Sequence, residues 1–366
     1  MTPRIVRVMI VDDSTVSRMN LTQILEADPR IRVVGAVKDG QAALSAMIEQ
    51  PPDLVLMDVH MPGLNGFETT RLIMETNAVP IVLCSAISDP KDAATIFSAL
   101  QAGAVACIAK PVGRSDPGFQ QMAEDFRTLV RSMSEVRVVR RWAGRPTREA
   151  PTPAPRRVPG ASALAPPTAL EIIGIGASTG GPPLLGSLLA RLPKGFPIPI
   201  LIVQHIAPGF LPGMAEWLNQ LVELQVAIGT DGEVPLPGHV YLAPDGFHMG
   251  VGPRRRLSLS AAAPEGGLRP SVAHLFRSLA ETYGPGAAGV LLTGMGHDGA
   301  AELKLMRDRG ATTIAQDKET SIVHGMPGAA IALGAATHVL PGEEIASALK
   351  ALAGTARASG QRLATP

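Results

Sequence analysis

Three aspartates and one lysine follow short apolar runs in the first third of the chain. Asp12 and Asp13 end VRVMIVDD, Asp58 ends DLVLMD, and Lys110 follows ACIA. If these runs are parallel strands, their carboxyl ends lie at one edge of a sheet, where such sheets bind ligands. Carboxylates gathered there repel one another unless a cation joins them, and Mg2+ accepts carboxylate and phosphate oxygens as ligands. The pattern predicts a phosphate-receiving site in which Asp58 is the nucleophile that forms an acyl phosphate.

Each residue of this predicted site has a separate role. We expect Asp13 and Asp58 to ligate Mg2+ directly and Asp12 to do so through a water molecule. Lys110 would pair with the phosphoryl oxygens, and Ser85, at the end of PIVLCS, would donate its hydroxyl to the phosphate. The alternative is that the strand-end aspartates only cap the helices that follow them.

A second group of reactive residue types follows apolar runs in the rest of the chain. GASTG at 176–180 has the G-x-S-x-G form of a nucleophile elbow, which presents Ser178 where a strand turns into a helix. Backbone N–H groups and the helix dipole at such a turn favour an oxyanion. His205 ends PIPILIVQH and Asp298 follows GVLLTGMG, so parallel strands would bring the three side chains together. In such a set a carboxylate orients an imidazole that activates a hydroxyl.

Three alternatives remain open for this second group. The serine of GASTG can be an unreactive turn residue, because the motif alone is weak. A dinucleotide-binding loop fits poorly, since the glycines miss the G-x-G-x-x-G spacing and no acidic residue lies about 20 residues further on. An α/β-hydrolase with the chain order Ser-Asp-His would use Asp231 or Asp245 with His297 or His324.

The elements that must position these residues alternate along residues 1–135. Five apolar runs alternate with five helical patterns, which predicts an α/β domain with a doubly wound parallel sheet. The strands are expected at 6–11, 31–37, 54–57, 79–84 and 105–109, and the helices at 15–27, 40–49, 66–76, 90–102 and 116–135.

Composition changes abruptly after the first domain. Residues 136–168 are rich in proline and are predicted to form an extended linker. A second α/β domain is predicted over 169–355, with a disordered tail at 356–366. In this domain HVYLAP and RRLSLS are interpreted as two short strands that could form a hairpin.

Overall composition excludes several classes of protein. The net charge of +1 does not indicate a nucleic-acid partner or an anionic membrane surface. Cys84 and Cys107 lie in apolar runs and are expected to be free thiols. No apolar run is long enough for a membrane helix or a signal peptide, so we expect a cytoplasmic protein that does not insert into a membrane. The remaining histidines show no zinc-binding spacing and are interpreted as surface or structural: His60, His239, His248, His274 and His338.

Residues 4–130 resemble the receiver domain of two-component response regulators. The resemblance rests on Asp12-Asp13, Asp58 followed by MPGLNG, Ser85 followed by alanine, and Lys110-Pro111. It implies a flavodoxin-like fold, phosphotransfer from a histidine kinase and a cis bond before Pro111. Many receivers carry an aromatic residue three positions before the lysine, whereas this chain has Cys107.

Residues 169–355 resemble the catalytic domain of the CheB family of chemotaxis protein-glutamate methylesterases. The resemblance rests on IGASTGG, QHI, YLAPDGFHM, RPSV, LLTGMGHDGA and the run from AQD to HGMP. It implies a Rossmann-like hydrolase domain that needs no cofactor, with Ser178 as nucleophile, His205 as general base and then acid, and Asp298 as the orienting carboxylate. It also places Thr179 and Met295 near the site in supporting roles.

The combined resemblance implies an enzyme that is controlled by phosphorylation. It would hydrolyse glutamate γ-methyl esters on chemoreceptor cytoplasmic domains, deamidate receptor glutamines, and respond to a histidine kinase of the chemotaxis type. The resemblance further implies that the unphosphorylated receiver covers the Ser178 site. One departure is Ala273, where the family commonly has an acidic residue. A phospho-dependent binding regulator with a non-catalytic esterase-like module is the alternative.

Overall fold

The computed structural model describes residues 4–85, 96–97, 99–111, 118–136, 138 and 169–361. The chain divides into two compact units, Met1–Arg148 and Glu149–Pro366. Of the predicted linker 136–168, only residues 136 and 138 belong to the described part. Across the described residues, no helix combines the length and the apolar character needed to cross a membrane.

The first unit contains a five-stranded parallel sheet. Its strands are β1 (Val6–Val11), β2 (Ile31–Val37), β3 (Leu54–Met57), β4 (Ile81–Ser85) and β5 (Ala106–Ala109), in the order β2-β1-β3-β4-β5. This is the order of flavodoxin-like doubly wound sheets, so the predicted fold class is confirmed. Every residue of β3 and β4 is buried, as expected for strands covered on both faces.

Helices of the first unit lie close to their predicted positions. They span Thr15–Glu26, Gly40–Glu49, Gly66–Thr76 and Phe119–Ser134. Of the helix predicted at 90–102, residues 96–97 and 99–102 are helical and the others lie outside the described part. Ser14, Asp39 and Asn65 each accept a backbone N–H at the start of a helix, which defines where those helices begin.

The second unit contains a seven-stranded sheet in which every pairing is parallel. Its strands are β6 (Ile172–Ala177), β7 (Ile200–Gln204), β8 (Gln225–Ile228), β9 (His239–Leu242), β12 (Ala287–Leu291), β13 (Thr312–Gln316) and β14 (His338–Leu340). Their order in the sheet is β14-β13-β12-β6-β7-β9-β8. A separate two-stranded sheet joins β10 (His248–Val251) to β11 (Leu257–Ser260) in antiparallel register.

One strand pairing differs from the sequence prediction. HVYLAP and RRLSLS both contain strands, but they do not form a hairpin with each other. The first contributes β9, which lies between β7 and β8 in the main sheet, and the second contributes β11, whose partner is β10. Three of the four β9 residues are buried, because this strand is an interior member of a parallel sheet.

The helices of the second unit extend past residue 355, the predicted end of the domain. They span Gly181–Leu189, Leu211–Leu221, Val272–Thr282, Ala300–Asp308, Met326–Ala332 and Gly342–Gln361. The last helix continues past residue 355 to Gln361, into the segment 356–366 that the sequence predicts as a tail. Its sequence KALAGTARASGQ contains several alanines, which favour a helix. Residues 362–366 lie outside the described part.

The side of β6 on which further strands are added changes once along the chain. From β6 the chain continues to β7 on one side, and it later returns through β12 on the other side. Such a switch point opens a crevice at the carboxyl ends of the strands. Helix Val272–Thr282 packs tightly against β6 there, since a Cβ on Gly174 would lie 2.4 Å from Leu279 and one on Gly176 would lie 2.4 Å from Val272. Two glycines therefore set the approach of this helix to the central strand.

Candidate functional site

Ser178 lies directly after the central strand β6, at the switch point. Its N–H donates to the carbonyl of Thr293 at 3.0 Å, and its own carbonyl accepts from Gly181 at 2.8 Å. Gly180 adopts a left-handed conformation with φ of 78°, which permits the sharp turn into helix Gly181–Leu189. The local sequence therefore presents a half-buried serine at a helix N-terminus.

His205 and Asp298 meet at the same edge of the sheet. The Nε2 atom of His205 lies 2.9 Å from Oδ2 of Asp298, and both side chains are only about a tenth exposed, at 11% and 10%. Because a carboxylate accepts hydrogen bonds, Nε2 carries the proton that it donates to Asp298. This leaves Nδ1 of His205 as the nitrogen with a free lone pair.

Asp298 also closes the N-terminus of helix Val272–Thr282. Oδ2 accepts from the Val272 N–H at 2.7 Å, while Oδ1 accepts from the Ala273 N–H at 3.0 Å and from the Ser271 hydroxyl at 3.2 Å. Burial raises the pKa of Asp298, but the hydrogen bond from His205 and those from the two amides outweigh it and lower the pKa below its ordinary value. Asp298 is therefore held as a carboxylate with a fixed orientation.

Ser178 and His205 are neighbours through the register of β6 and β7. Ala177 pairs with Gln204, and the His205 N–H donates to the Ala177 carbonyl at 2.9 Å, so Ser178 and His205 are the next residues on adjacent strands. Within the described ranges, no hydrogen bond joins the Ser178 hydroxyl to His205. Such contacts are often loose in unliganded hydrolases and tighten when substrate binds.

Two buried polar side chains that sequence reasoning missed hold this arrangement in place. The amide of Gln204 donates to the carbonyls of Ser178 at 2.8 Å and His205 at 2.7 Å. The hydroxyl of Thr293 donates to the Thr179 carbonyl at 3.0 Å and accepts from the Val323 N–H at 2.9 Å. Polar residues at the ends of otherwise apolar strands were the only available signal, because these contacts depend on tertiary structure.

The predicted supporting residues flank Ser178 and Asp298. Thr179 follows the serine, and Met295 lies in the loop before Asp298, where it lines a cavity of about 680 Å³ together with His297 and Asp298. Neither Ser178 nor His205 lines that cavity. The cavity therefore borders Asp298 but not the other two members of the candidate triad.

The alternative Ser-Asp-His set is not assembled. Asp245 accepts the Gly209 N–H at 2.8 Å and Asp231 accepts the Leu259 N–H at 2.9 Å, so both carboxylates support loops. His324 contacts the Ser321 hydroxyl at 3.3 Å. Asp231 and Asp245 contact no histidine in the part of the chain that the structure describes.

In the first unit, the predicted receiver residues gather at the carboxyl edge of the sheet. Lys110 Nζ lies 2.7 Å from Asp58 Oδ2 and 2.8 Å from Asp12 Oδ2. Asp12 and Asp58 are buried, whereas Asp13 is exposed. Ser85 ends β4 and is fully buried, and its carbonyl accepts the Lys110 N–H at 3.0 Å. All five predicted residues thus lie at the ends of β1, β3, β4 and β5.

The aspartates of this edge are not simply helix caps. Asp12 accepts from the Ser14 N–H at 2.9 Å and from the Ser17 hydroxyl at 2.5 Å, while Ser14 provides the N-cap of the following helix. Carboxylate oxygens of Asp12, Asp13 and Asp58 lie within 4.8 Å of one another. Three carboxylates so close together fit the oxygen ligands that Mg2+ requires.

Charges at this edge are strongly coupled. Burial raises the pKa of Asp58, and the Lys110 hydrogen bond opposes this without reversing it. Burial lowers the pKa of Lys110, but the contacts with Asp12 and Asp58 outweigh it and raise the pKa above its ordinary value. The ammonium of Lys110 is therefore retained beside the candidate phosphorylation site, where an anion would be received.

Two further expectations for the first unit have clear outcomes. Cys84 and Cys107 are both free, as predicted, and burial raises the pKa of the Cys107 thiol to about 12. The cis bond expected before Pro111 is not found, because the only cis peptide bond in the described residues joins Arg269 to Pro270.

Family profiles match both units of the chain. The profile of the CheB methylesterase family matches residues 173–349, and that of the response regulator receiver domain matches residues 8–117. The protein-glutamate methylesterase/protein-glutamine glutaminase of Nitrosospira multiformis is 49% identical over 94% of this chain and 96% of its own length. A protein of the same description from Syntrophus aciditrophicus is 48% identical over 96% of this chain and 99% of its own length.

Solved structures resemble each unit separately. The CheB methylesterase catalytic domain of Thermotoga maritima is 40% identical, with a TM-score of 0.48, and the match covers 50% of this chain and 98% of that domain. The response regulator domain of Thermotoga maritima CheB is 39% identical, with a TM-score of 0.33, over 37% of this chain and 99% of that domain.

Proposed function

We propose a mechanism for this chain from the premise that it belongs to the CheB methylesterase family of response regulators. It is a phosphorylation-regulated hydrolase, a protein-glutamate methylesterase and protein-glutamine glutaminase. Relatives of this description match almost the whole chain at close to half identity. The observation that carries the proposed mechanism is the His205–Asp298 pair, 2.9 Å apart beside Ser178.

We assign acyl transfer to Ser178. Nδ1 of His205 removes the proton from the Ser178 hydroxyl as the oxygen attacks the side-chain carbonyl of the methylated glutamate. The helix N-terminus that follows Ser178 favours the negative charge that develops on the carbonyl oxygen. His205 then returns the proton to the departing methoxide, so that methanol leaves and a Ser178 ester of the glutamate remains.

Water completes the cycle through the same histidine. His205 takes a proton from water, the resulting hydroxide attacks the Ser178 ester, and the proton passes to the Ser178 oxygen as it departs. The product is a glutamate carboxylate. A glutamine substrate follows the same path with ammonia as the first leaving group. Asp298, held as a carboxylate by its amide donors, orients His205 and stabilises its charged form.

We further propose that Asp58 receives the phosphoryl group that controls the enzyme. Mg2+ held by Asp13 and Asp58, with Asp12 acting through water, would neutralise the carboxylates and bind phosphoryl oxygens. Lys110, already paired with Asp58 at 2.7 Å, would contact the phosphoryl oxygens. Ser85 would donate its hydroxyl to the phosphate. We propose a histidine kinase of the chemotaxis type as donor, methylated chemoreceptor cytoplasmic domains as substrate and the cytoplasm as location.

A binding regulator with an inactive esterase module is less well supported. A module that only binds does not need the largely buried Asp298 carboxylate, which contacts His205 beside Ser178. Buried charged groups are costly unless they serve structure or chemistry.

The deciding experiment measures methanol release from methylated receptor membranes, with and without a small acyl-phosphate donor and Mg2+. We expect release by the wild type, a higher rate with the donor, and no response to the donor in Asp58→Asn. Ser178→Ala should fold normally and release no methanol. A folded Ser178→Ala protein with normal turnover would exclude the triad, and a stimulated Asp58→Asn protein would identify another acceptor.

A further inference from the structure

Two histidines and a glutamate of the second unit lie together away from Ser178. They are His248 on β10, Glu265 in the loop after β11 and His274 in helix Val272–Thr282. One ligand atom from each lies within 4.8 Å of the other two. We propose that these side chains form a binding site for a divalent transition metal of the Zn2+ class.

His248 provides the fixed ligand of this site. Its side chain is fully buried, at 0% exposure, and its Nε2 lies 3.1 Å from the carbonyl of Ala263. Since a carbonyl only accepts, Nε2 carries the proton and Nδ1 has a bare lone pair. That Nδ1 is buried and has no hydrogen-bond partner. Metal-binding histidines are oriented in this way, with one ring N–H donated to a backbone carbonyl and the other nitrogen free for the metal.

Glu265 supplies a carboxylate that is already oriented. Arg277 donates to its two oxygens at 3.1 and 2.9 Å, and His274 Nδ1 lies 3.2 Å from Oε1. Each carboxylate oxygen has a second lone pair, so the arginine can remain as an outer partner while the carboxylate ligates a metal.

His274 is partly exposed, unlike the buried His248. Its side chain is 26% exposed, and its ring stacks on that of His248 with centroids 4.9 Å apart. Ligand atoms around a tetrahedral zinc are about 3.5 Å apart, given bonds of about 2.0–2.2 Å. The ligand atoms of this cluster lie within 4.8 Å of one another. Rotation of the partly exposed His274 and Glu265 side chains toward His248 would bring them to the spacing that zinc requires.

The ligand types select the metal. Two imidazoles and one carboxylate suit Zn2+, Co2+ or Ni2+, whereas the all-carboxylate edge of the first unit suits Mg2+. Glu265 lines the cavity of about 680 Å³, from which water could complete a fourth position. No short sequence motif marks the site, because its ligands come from separate elements.

The site is connected to the catalytic carboxylate through one turn of helix. His274 follows Val272 and Ala273, whose N–H groups hold Asp298. A metal bound to His274 would fasten this turn to β10. We therefore expect the metal to stabilise the folded protein, because a ligand that binds only the native state raises its stability.

The test uses the full-length protein in excess Mg2+, which occupies the carboxylate site of the first unit. Co2+ is added alone as the probe, and its visible absorption reports nitrogen ligation. We expect saturable absorption that Zn2+ abolishes by competition. Zn2+ should also raise the Tm of the wild type.

Variants locate the site. His274→Ala and Glu265→Gln should each weaken Co2+ binding by at least about tenfold and remove the Zn2+ effect on Tm. His239→Ala is the matched control, since His239 is partly buried and contacts Pro237 but lies outside the cluster. The proposal fails if the wild type shows no Co2+ absorption, or if absorption is unchanged in His274→Ala. Should that variant not fold, the result for Glu265→Gln, which preserves side-chain size, decides.

Discussion

Asp298 is the residue on which the catalytic geometry depends most directly, since four donors converge on its two oxygens. In Asp298→Asn only one oxygen remains to accept hydrogen bonds. An amide nitrogen in place of Oδ2 would face the Val272 N–H and His205 Nε2, and as a donor it would favour the His205 tautomer whose Nδ1 carries the proton. Because Nδ1 is then no longer a base, we expect kcat to fall by about 10³–10⁴, as measured in methanol release.

A matched variant separates this effect from a general loss of charge. Asp245 also supports a loop after a strand of the same sheet, through the Gly209 N–H. We expect Asp245→Asn to retain nearly normal kcat. Loss of activity in Asp245→Asn with normal turnover in Asp298→Asn would reverse the assignment. The lowered pKa of Asp298 also makes the stability of the fold depend on pH. The contribution of this carboxylate to stability is fully present above the ordinary pKa of 3.8 and is lost as the pH falls through the lower folded value.

At the scale of strands and helices, buried polar side chains at the strand ends hold the turn after Ser178 in place. Thr293→Val keeps the shape but leaves the Val323 N–H and the Thr179 carbonyl without their partner. We expect a stability loss of about 1–3 kcal/mol in denaturant unfolding, together with a fall in kcat because the turn after Ser178 loosens.

Thr313 offers a control of the same kind in the neighbouring strand. Its hydroxyl donates to the Ala335 carbonyl at 2.7 Å and accepts the Thr337 N–H at 3.0 Å, away from Ser178. Thr313→Val should lose comparable stability while kcat stays near the wild-type value. Equal falls in kcat for both variants would show that activity follows stability and not the turn.

In the first unit, Asp28 joins the turn after helix Thr15–Glu26 to helix Phe119–Ser134. It accepts from Arg30 and also pairs with Arg131 on helix Phe119–Ser134. The Arg30 hydrogen bond is the main cause that lowers the pKa of Asp28 to about 2, against burial. The folded value lies below the ordinary 3.8, so this carboxylate stabilises the fold above pH 3.8 and loses that contribution between about pH 4 and 2.

Asp28→Asn should therefore lower the unfolding free energy of the first unit at neutral pH by about 2 kcal/mol. The difference from wild type should shrink as the pH approaches 2. Asp125→Asn, on the exposed face of helix Phe119–Ser134, is the control and should change stability little. A difference that stays constant down to pH 2 would mean that the carboxylate charge is not responsible.

Local sequence patterns predicted the strands that carry the key residues, because buried parallel strands read as short apolar runs. Ser178, His205, Asp298 and Asp58 could be located for that reason, each just after or at the end of such a run. The pairing of β9 and β11 was wrong because register between distant segments leaves no local mark. Gln204 and Thr293 were missed because a buried polar contact exists only after the chain has folded.

At the scale of the whole molecule, regulation requires that phosphorylation of one unit alter the activity of the other. Phosphorylation converts the Asp58 carboxylate into an acyl phosphate that carries about −1.5 to −2 charges, at the edge where Lys110 lies beside Asp12 and Asp58. This can bias a receiver between two arrangements. The proline-rich linker predicted at 136–168 would keep the receiver near the catalytic unit in either one.

If the resting receiver restrains the hydrolase, a fragment of residues 169–361 should release methanol faster than the unphosphorylated full-length protein. The fragment should not respond to an acyl-phosphate donor, because it lacks Asp58. Full-length Asp58→Asn is the control, since it keeps the receiver and should stay at the resting rate. A fragment no faster than that control would mean that the receiver activates the enzyme on phosphorylation and does not block it at rest. Cys107 favours this outcome, because it stands at the position where many receivers carry an aromatic residue that reorients on activation.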